Sequence, residues 1–133
     1  MNDRNADFAR CTFQTLGVDI LLTAKPVFKH VLENHATTHQ FREIGVPCAT
    51  VDGLIILKLY PLPSLYRQGD FQRAALYESD ITMLARRYRS PLGSLLAALR
   101  PRMDTGDLEE LSNIVREIEQ RISRMERTPK TAV

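Results

Sequence analysis

The chain has 133 residues, 44% hydrophobic residues and a formal net charge of +2, which is the composition of one ordinary globular domain. So small a net charge does not by itself indicate a polyanionic partner. No apolar run is long enough to cross a bilayer and no basic-then-apolar leader opens the chain, so a cytoplasmic protein without membrane contact is expected. The cysteines, Cys11 and Cys48, match no metal-binding spacing and are expected to be free thiols.

The first part of the chain is predicted to form two strands. Residues 8–16 mix aromatic, β-branched and polar residues at about period two, and residues 18–23 form a more apolar run after Gly17. In the second strand Asp19 shares a face with Gly17 and Leu21. It is either a functional carboxylate with open space above the glycine or a group that turns to solvent at a strand end.

The next segment is predicted to be a short helix followed by a hairpin. Pro26 suits the first turn of a helix over residues 26–34. Residues 37–44 and 46–49 are then expected to be strands, with a turn at Gly45. Together with the first two strands, this predicts an α+β fold in which a small mixed or antiparallel sheet of about four strands packs on helices.

A buried helix is predicted over residues 50–60. Thr50 is a suitable N-cap, and Asp52 lies in the first turn, where a carboxylate suits the helix dipole. The helix is apolar almost all round, which makes the single cation Lys58 notable. Its stem either runs along the helix so that the ammonium group reaches water, or the ammonium group points at an anion over the sheet.

The second half of the chain is predicted to be helical. Pro61 and Pro63 end the preceding helix, residues 64–70 form a loop, and a helix over residues 71–88 carries Asp80 among apolar residues. The dipeptide Ser90-Pro91 then indicates a helix over residues 92–99.

A last helix follows, capped by Asp104 or Thr105, and its apolar stripe favours core packing or a seam for a partner helix. The stripe consists of Leu108, Leu111, Val115, Ile118, Ile122 and Met125. We therefore expect an α/β portion over residues 1–88, a C-terminal helical hairpin over residues 89–127 and a disordered tail over residues 128–133.

The basic residues are uneven along the chain, with an arginine cluster between residues 86 and 102. Tyr88 is the one aromatic residue among these arginines, which is not the repeated interleaving typical of a nucleic-acid surface. A solvated basic face is therefore favoured over a nucleic-acid site.

Three charged residues, each set in an apolar element, recur in a recognisable order. They are Asp19 in the strand GVDILLT, Lys58 in the apolar helix, and Asp80 in the helix after it. In this order, residues 8–84 resemble the C-terminal portion of the nucleotidyltransferase-fold superfamily. That superfamily includes minimal nucleotidyltransferases and bacterial abortive-infection toxin-like relatives of the toxin–antitoxin type.

The resemblance implies Mg²⁺-dependent transfer of a nucleotide from a nucleoside triphosphate to an acceptor hydroxyl. By position, Asp19 corresponds to a metal-binding catalytic carboxylate, and Lys58 to a catalytic lysine near the phosphates, where a cation offsets developing charge. Asp80 and Arg67 would complete the nucleotide site. The role expected for Asp80 is to pair with Lys58 or a neighbouring arginine.

The chain departs from the family pattern because it lacks the Gly-Ser turn and the Asp-x-Asp strand that should precede Asp19. We therefore expect a protein that is incomplete or catalytically inactive by itself, and leave open whether it is an enzyme. Mg²⁺ would bind only if further residues or a partner supplied the missing ligands. The chain is a fragment of a longer transferase, a degenerate relative, or half of an assembly with a second copy or partner protein. The alternative is a non-catalytic interaction or oligomerisation module that uses the C-terminal helix.

Overall fold

The computed structural model describes residues 8–13, 16–21 and 25–127, with side chains for Ile20 and for residues 25–127. The chain divides after Thr50 into two compact units, residues 1–50 and residues 51–133. The predicted disordered tail, residues 128–133, lies outside the described residues. Within the described part of the chain, no helix combines the length and the apolar character needed to cross a membrane.

Each pair of strands in the first unit forms its own antiparallel hairpin. Strands β1 (Phe8–Phe13) and β2 (Leu16–Leu21) pair with each other, and so do β3 (Ala36–Phe41) and β4 (Ile44–Ala49).

The second hairpin turns at Arg42 and Glu43, because Phe41 pairs with Ile44 and Arg42 has a φ of 61°. The turn predicted at Gly45 is therefore wrong, and this glycine lies inside β4.

The α+β class is confirmed, but the expected sheet of about four strands is wrong. The described strands form two separate two-stranded sheets. Joining them would require a ladder of hydrogen bonds between two hairpin edges, which the alternation of side chains along a strand does not specify. Pro47 of β4 also disfavours a larger sheet, because proline has no N–H to donate and a strand that contains it is suited only to the edge of a sheet.

Helix α1 (Pro26–Asn34) occupies the predicted residues and contacts both strands of the second hairpin. It begins at a proline, whose missing N–H costs nothing in a first helical turn. Val27 and Val31, one turn apart on one face, are buried. The hairpin and this helix therefore pack as one local element.

The second unit is helical throughout its described length. Its elements are α2 (Val51–Leu59), α3 (Leu62–Arg67), α4 (Phe71–Tyr88), α5 (Leu92–Leu99), a 3-10 turn (Arg100–Arg102) and α6 (Thr105–Arg127). The bounds of α4 and α5 are those predicted. The N-cap of α6 is Asp104, whose carboxylate accepts the N–H of Asp107 at 2.8 Å.

The loop predicted over residues 64–70 is wrong, because most of it forms helix α3. Pro63 falls in the first turn of α3, a position that proline tolerates. The helix ends at Arg67, and Gly69 two residues later has a φ of 76°, which is easily adopted without a side chain. The N–H groups of Asp70 and Gly69 bond back to the carbonyls of Leu65 and Tyr66, which is a Schellman motif.

The core of this unit is built from one apolar side of each helix. Helix α2 contacts α4 and α5, and α6 contacts α3, α4 and α5. The fully buried large side chains include Ile55, Ile56, Leu59, Leu62, Ile81, Leu99, Leu111 and Ile118. The middle of the α6 stripe is thus used inside the unit, and its distal residue Met125 is 37% exposed.

Candidate functional site

Lys58 lies in the last turn of α2 and points towards α4. Its Nζ is 3.0 Å from Oδ2 of Asp80 and 4.8 Å from the centre of the Tyr77 ring. The predicted pairing of Asp80 with Lys58 is therefore confirmed. The anion nearest to this ammonium group comes from a neighbouring helix, so the pair joins two helices and balances the Lys58 charge.

Arg67 is bound by a different carboxylate from the one that binds Lys58. At the end of α3, both of its terminal nitrogens donate to the carboxylate of Asp107 in α6. This hydrogen bond, followed by the charge of Asp107, raises the pKa of the Arg67 guanidinium further above its usual high value. The interaction connects α3 to the first turn of α6. A nucleotide-binding role for Arg67 stays a prediction.

Asp19 lies in β2, where its backbone pairs with Arg10 of β1. Its side chain is outside the described part of the structure, and it belongs to the first unit whereas Lys58 belongs to the second. The shared Asp19–Lys58 site therefore stays a prediction. Among the described residues, no group of three or more His, Cys, Asp or Glu side chains is arranged to hold a metal ion.

A groove of about 640 Å³ lies between α4 and α6, with Tyr66 of α3 also lining it. We call it the α4–α6 groove. Its lining includes Glu78, Met83, Arg86 and Arg87 from α4, and Arg121 and Met125 from α6. It therefore combines two methionine side chains with three guanidinium groups and one carboxylate.

The carboxylate of the groove is already bonded within the protein. Glu78 is only 8% exposed and accepts the hydroxyl hydrogen of Tyr66. Burial, and then this hydrogen bond and the charge of Glu78, raise the pKa of Tyr66 to about 12. The phenol therefore remains protonated at neutral pH and continues to donate a hydrogen bond to Glu78. This hydrogen bond connects α3 to α4 at the groove.

The two helical walls of the groove run in the same direction. Tyr66 donates a hydrogen bond to Glu78 of α4, and the charges of Glu117 and Arg121 of α6 also affect the pKa of Tyr66. Eight residues after Glu78, Arg86 donates to the sulfur of Met125 at 3.6 Å. From the first contact to the second, the residue number increases along both helices, and the step along α4 is about 12 Å at 1.5 Å per residue. The C-terminal turns of α4 and α6 lie at one end of the groove.

Within residues 25–127, the three arginines of the groove have no carboxylate partner. Arg86 contacts the sulfur of Met125, and the guanidinium of Arg87 lies 5.6 Å from the centre of the Tyr88 ring. No carboxylate of the described residues lies within ion-pair distance of Arg86, Arg87 or Arg121. By contrast, Lys58 and Arg67 are both paired. The described lining of the groove therefore carries more positive than negative charge, with three guanidinium groups against the single carboxylate of Glu78.

The sequence indicated part of this site. Arg86 and Arg87 belong to the arginine cluster noted above, but Arg121 lies outside it, and the cluster was interpreted as a solvated face. The signal available in the sequence was the spacing of Leu76 and Met83, which lie seven residues apart and so share one side of α4; the structure shows that each is 60% exposed. What the sequence did not show is that this side borders the distal part of α6.

Comparisons with protein-family models, with curated proteins and with solved structures found no match to this chain. The resemblance to the nucleotidyltransferase-fold superfamily therefore continues to depend on the order of Asp19, Lys58 and Asp80.

Proposed function

We propose that this chain is a non-catalytic binding module whose helical unit takes an anionic partner in the α4–α6 groove. The observation that carries the proposal is the set of Arg86, Arg87 and Arg121, which surround the methionines of the groove without any described carboxylate partner. Guanidinium groups form strong, directional hydrogen bonds to carboxylates and phosphates. A ligand that carries such groups would supply the missing negative charge.

The groups that line the groove favour binding over chemistry. The Tyr66 phenol stays protonated and donates its hydrogen bond to Glu78, so it is a poor candidate for a base or a nucleophile. The hydroxyl of Thr82 donates to the Glu78 carbonyl within α4 at 2.7 Å. The remaining charged groups, the arginines, can orient an anion but do not exchange protons near neutral pH.

The proposal can be tested with the full chain carrying ¹³C-methyl methionine, because Met83 and Met125 line the groove. The probes are inorganic tripolyphosphate, a short poly-glutamate peptide and a short single-stranded DNA. At least one should shift both methyl signals at low salt. The affinity should fall by about tenfold or more in a groove variant that replaces each groove arginine by glutamine (Arg86→Gln, Arg87→Gln, Arg121→Gln).

A matched control variant carries the same change in charge at three exposed arginines that do not line the groove. It consists of Arg100→Gln, Arg116→Gln and Arg127→Gln. The control should bind within about twofold of the unmodified chain once the salt concentration is held fixed. If no probe moves the methyl signals at about 1 mM, or if both variants lose binding equally, the proposal is wrong.

A second candidate is the nucleotidyltransferase-like activity, in which Asp19 and Lys58 act on a nucleoside triphosphate with Mg²⁺. Support comes from the order of the three residues in the chain and from the Lys58–Asp80 pair, which brings two of them together. Nucleotide binding in the presence of Mg²⁺ should then be lost in both Asp19→Ala and Lys58→Ala, measured by calorimetry. Binding that survives both substitutions, or no binding by the unmodified chain, would remove this candidate.

A further inference from the structure

We infer that the anionic partner is an acidic amphipathic α-helix that lies lengthwise in the α4–α6 groove. Its apolar side chains would contact Met83 and Met125, and its carboxylates would contact the groove arginines. This inference rests on the proposed binding function and adds the chemical class of the partner.

The shape of the groove suits a helix. Its walls are two helices that run in the same direction, and its α4 wall extends from Ala75 to Arg87. Twelve residue steps of helix correspond to about 18 Å, or a little over three turns. A third helix of that length would pack between α4 and α6 as helices pack in a bundle.

The apolar part of the groove has the spacing that a helix recognises. Met83 of α4 and Met125 of α6 line the groove. Leu76, which is outside the lining, precedes Met83 by seven residues, and both side chains are 60% exposed. A partner helix presents apolar residues at matching steps of three, four and seven. Methionine is suited to this role because its unbranched, polarizable side chain adapts to the shape of the partner.

The charge of the groove is directional. Two of the three groove arginines, Arg86 and Arg87, lie in the last turn of α4, at the end of the groove shared with Met125. The buried Glu78 lies towards the Tyr66 end, where the charge of Arg121 also acts on Tyr66. A partner with acidic residues near one end and uncharged residues near the other would match both ends. We therefore expect carboxylates over the half of the groove that contains Arg86 and Arg87.

Two other classes of ligand match the groove less well. Met83, Arg86 and Arg87 are all exposed, so a small molecule would remain largely in water, whereas small-molecule sites bury most of the ligand surface. For single-stranded nucleic acid, binding proteins use aromatic rings on which bases stack. The one aromatic ring that lines the groove belongs to Tyr66, whose hydroxyl is bonded to Glu78.

The experiment measures fluorescence anisotropy of labelled peptides with the full chain. The test peptide is a helix of about 16 residues with leucines at steps of three and four and glutamates beside them near one end. One control replaces every glutamate by glutamine, and a second scrambles the same residues so that no apolar face forms. We expect the test peptide to bind about tenfold or more tightly than either control.

The protein variants locate the binding. The groove variant should lose about tenfold or more in affinity for the test peptide, and the matched control variant should stay within about twofold. Met83→Gln should weaken binding by several-fold without changing the charge of the chain. Circular dichroism checks that each variant is folded, and methyl shifts of Met83 and Met125 in the unmodified chain locate the peptide without any arginine substitution.

The outcomes separate this inference from the proposed function. If the scrambled peptide binds as well as the test peptide, or if DNA binds more tightly than every peptide through the same arginines, the helical partner is wrong and the anion-binding groove remains. If no probe and no peptide shifts Met83 or Met125, both proposals are wrong.

Discussion

Arg89 adopts a backbone conformation that arginine rarely takes. It follows the last residue of α4 with a φ of 53°, and the N–H of Arg89 and that of Ser90 both bond to the carbonyl of Ala85. A left-handed residue at this position closes the helix end, and glycine usually fills it because it has no Cβ. The arginine therefore stores local strain at the end of α4.

Arg89→Gly should stabilise the protein. The left-handed conformation costs a residue with a Cβ about 1–2 kcal/mol, and replacement by glycine removes this cost. Part of the gain is lost because glycine increases the conformational entropy of the unfolded chain. We expect a net gain of about 0.5–1 kcal/mol in the free energy of unfolding, measured by urea denaturation. Arg100→Gly, which removes the same side chain where φ is −51°, should instead be destabilising. A loss of stability in Arg89→Gly would contradict this account.

Tyr66 should make stability depend on pH in the alkaline range. The pKa of its phenol is about 12 in the folded chain, above the ordinary value of 10.0. Between those two pH values the unfolded chain has released this proton and the folded chain retains it. The stabilising contribution is therefore complete below about pH 10 and is lost as the pH rises towards about 12.

Tyr66→Phe should reduce this alkaline loss of stability. It should also lower the free energy of unfolding at pH 7 by about 1–3 kcal/mol, because Glu78 loses its hydrogen-bond donor. Urea denaturation at several pH values measures both effects. Tyr88→Phe removes the same hydroxyl at an exposed site and should leave the pH dependence as it is. Identical pH profiles for the unmodified chain and Tyr66→Phe would refute the assignment.

At the scale of elements, the contact between α2 and α4 combines a large apolar term with a small ionic one. Leu59 of α2 is fully buried, while Lys58 beside it is 25% exposed and its partner Asp80 is 42% exposed. Burial of a leucine side chain contributes about 1.5–3 kcal/mol, whereas exposed ion pairs contribute about 0–1 kcal/mol. The apolar contact should therefore dominate the packing of these two helices.

Leu59→Ala should cost about 2–5 kcal/mol in the free energy of unfolding, since it removes a buried side chain and leaves a cavity. Leu54→Ala is the matched control, because Leu54 lies on the same helix and is 40% exposed. It should cost clearly less. Thermal and urea unfolding measure both, and equal costs would show that the α2 packing described here is wrong.

The Lys58–Asp80 pair should show a coupling energy of only about 0.2–1 kcal/mol in a double-mutant cycle of Lys58→Met and Asp80→Asn. The coupling should shrink in about 1 M NaCl, which screens partly exposed charges. A cycle between Lys58 and Asp70, which is not its partner, should give no coupling. A coupling well above this range would mean that the pair is more strongly desolvated than its exposure indicates.

Individual elements also show how far the sequence could be interpreted. Helices α1, α4 and α5 lie where the prolines, caps and apolar periodicity predicted them, because these signals act within a few residues. Helix α3 was missed, since six residues are too few to establish a helical period and its prolines resemble loop signals. Two partners were predicted for Asp80, Lys58 or a neighbouring arginine, and the structure pairs it with Lys58, the one cation within α2.

At the scale of the whole molecule, the division after Thr50 separates two compact units of different class. The buried core of the second unit joins residues from α2 to α6. We expect a fragment of residues 51–127 to fold without the first unit, with the helical circular dichroism of α2–α6 and a cooperative thermal transition. A fragment without such a transition would mean that its core depends on residues 1–50.

The groove also belongs to this largest scale, because its two walls are far apart in the chain. Arg86 and Met125, which meet across it, are separated by 39 residues. Their contact follows from how α4 and α6 pack on the shared core. Among the described side chains, the same packing leaves three arginines without carboxylate partners while it supplies one to Lys58 and one to Arg67.

The sequence by itself determined the α+β class and most helix bounds, because capping and periodicity are local properties, and it left the partner of Asp80 open between Lys58 and a neighbouring arginine. Only the tertiary structure decided that the strands form two sheets and that α6 buries the middle of its stripe. It also decided that Arg86, Arg87 and Arg121 surround one groove. The physical reason is that pairing of strand edges and packing of helices depend on contacts between distant residues. Many arrangements satisfy the same pattern of apolar and polar residues equally well.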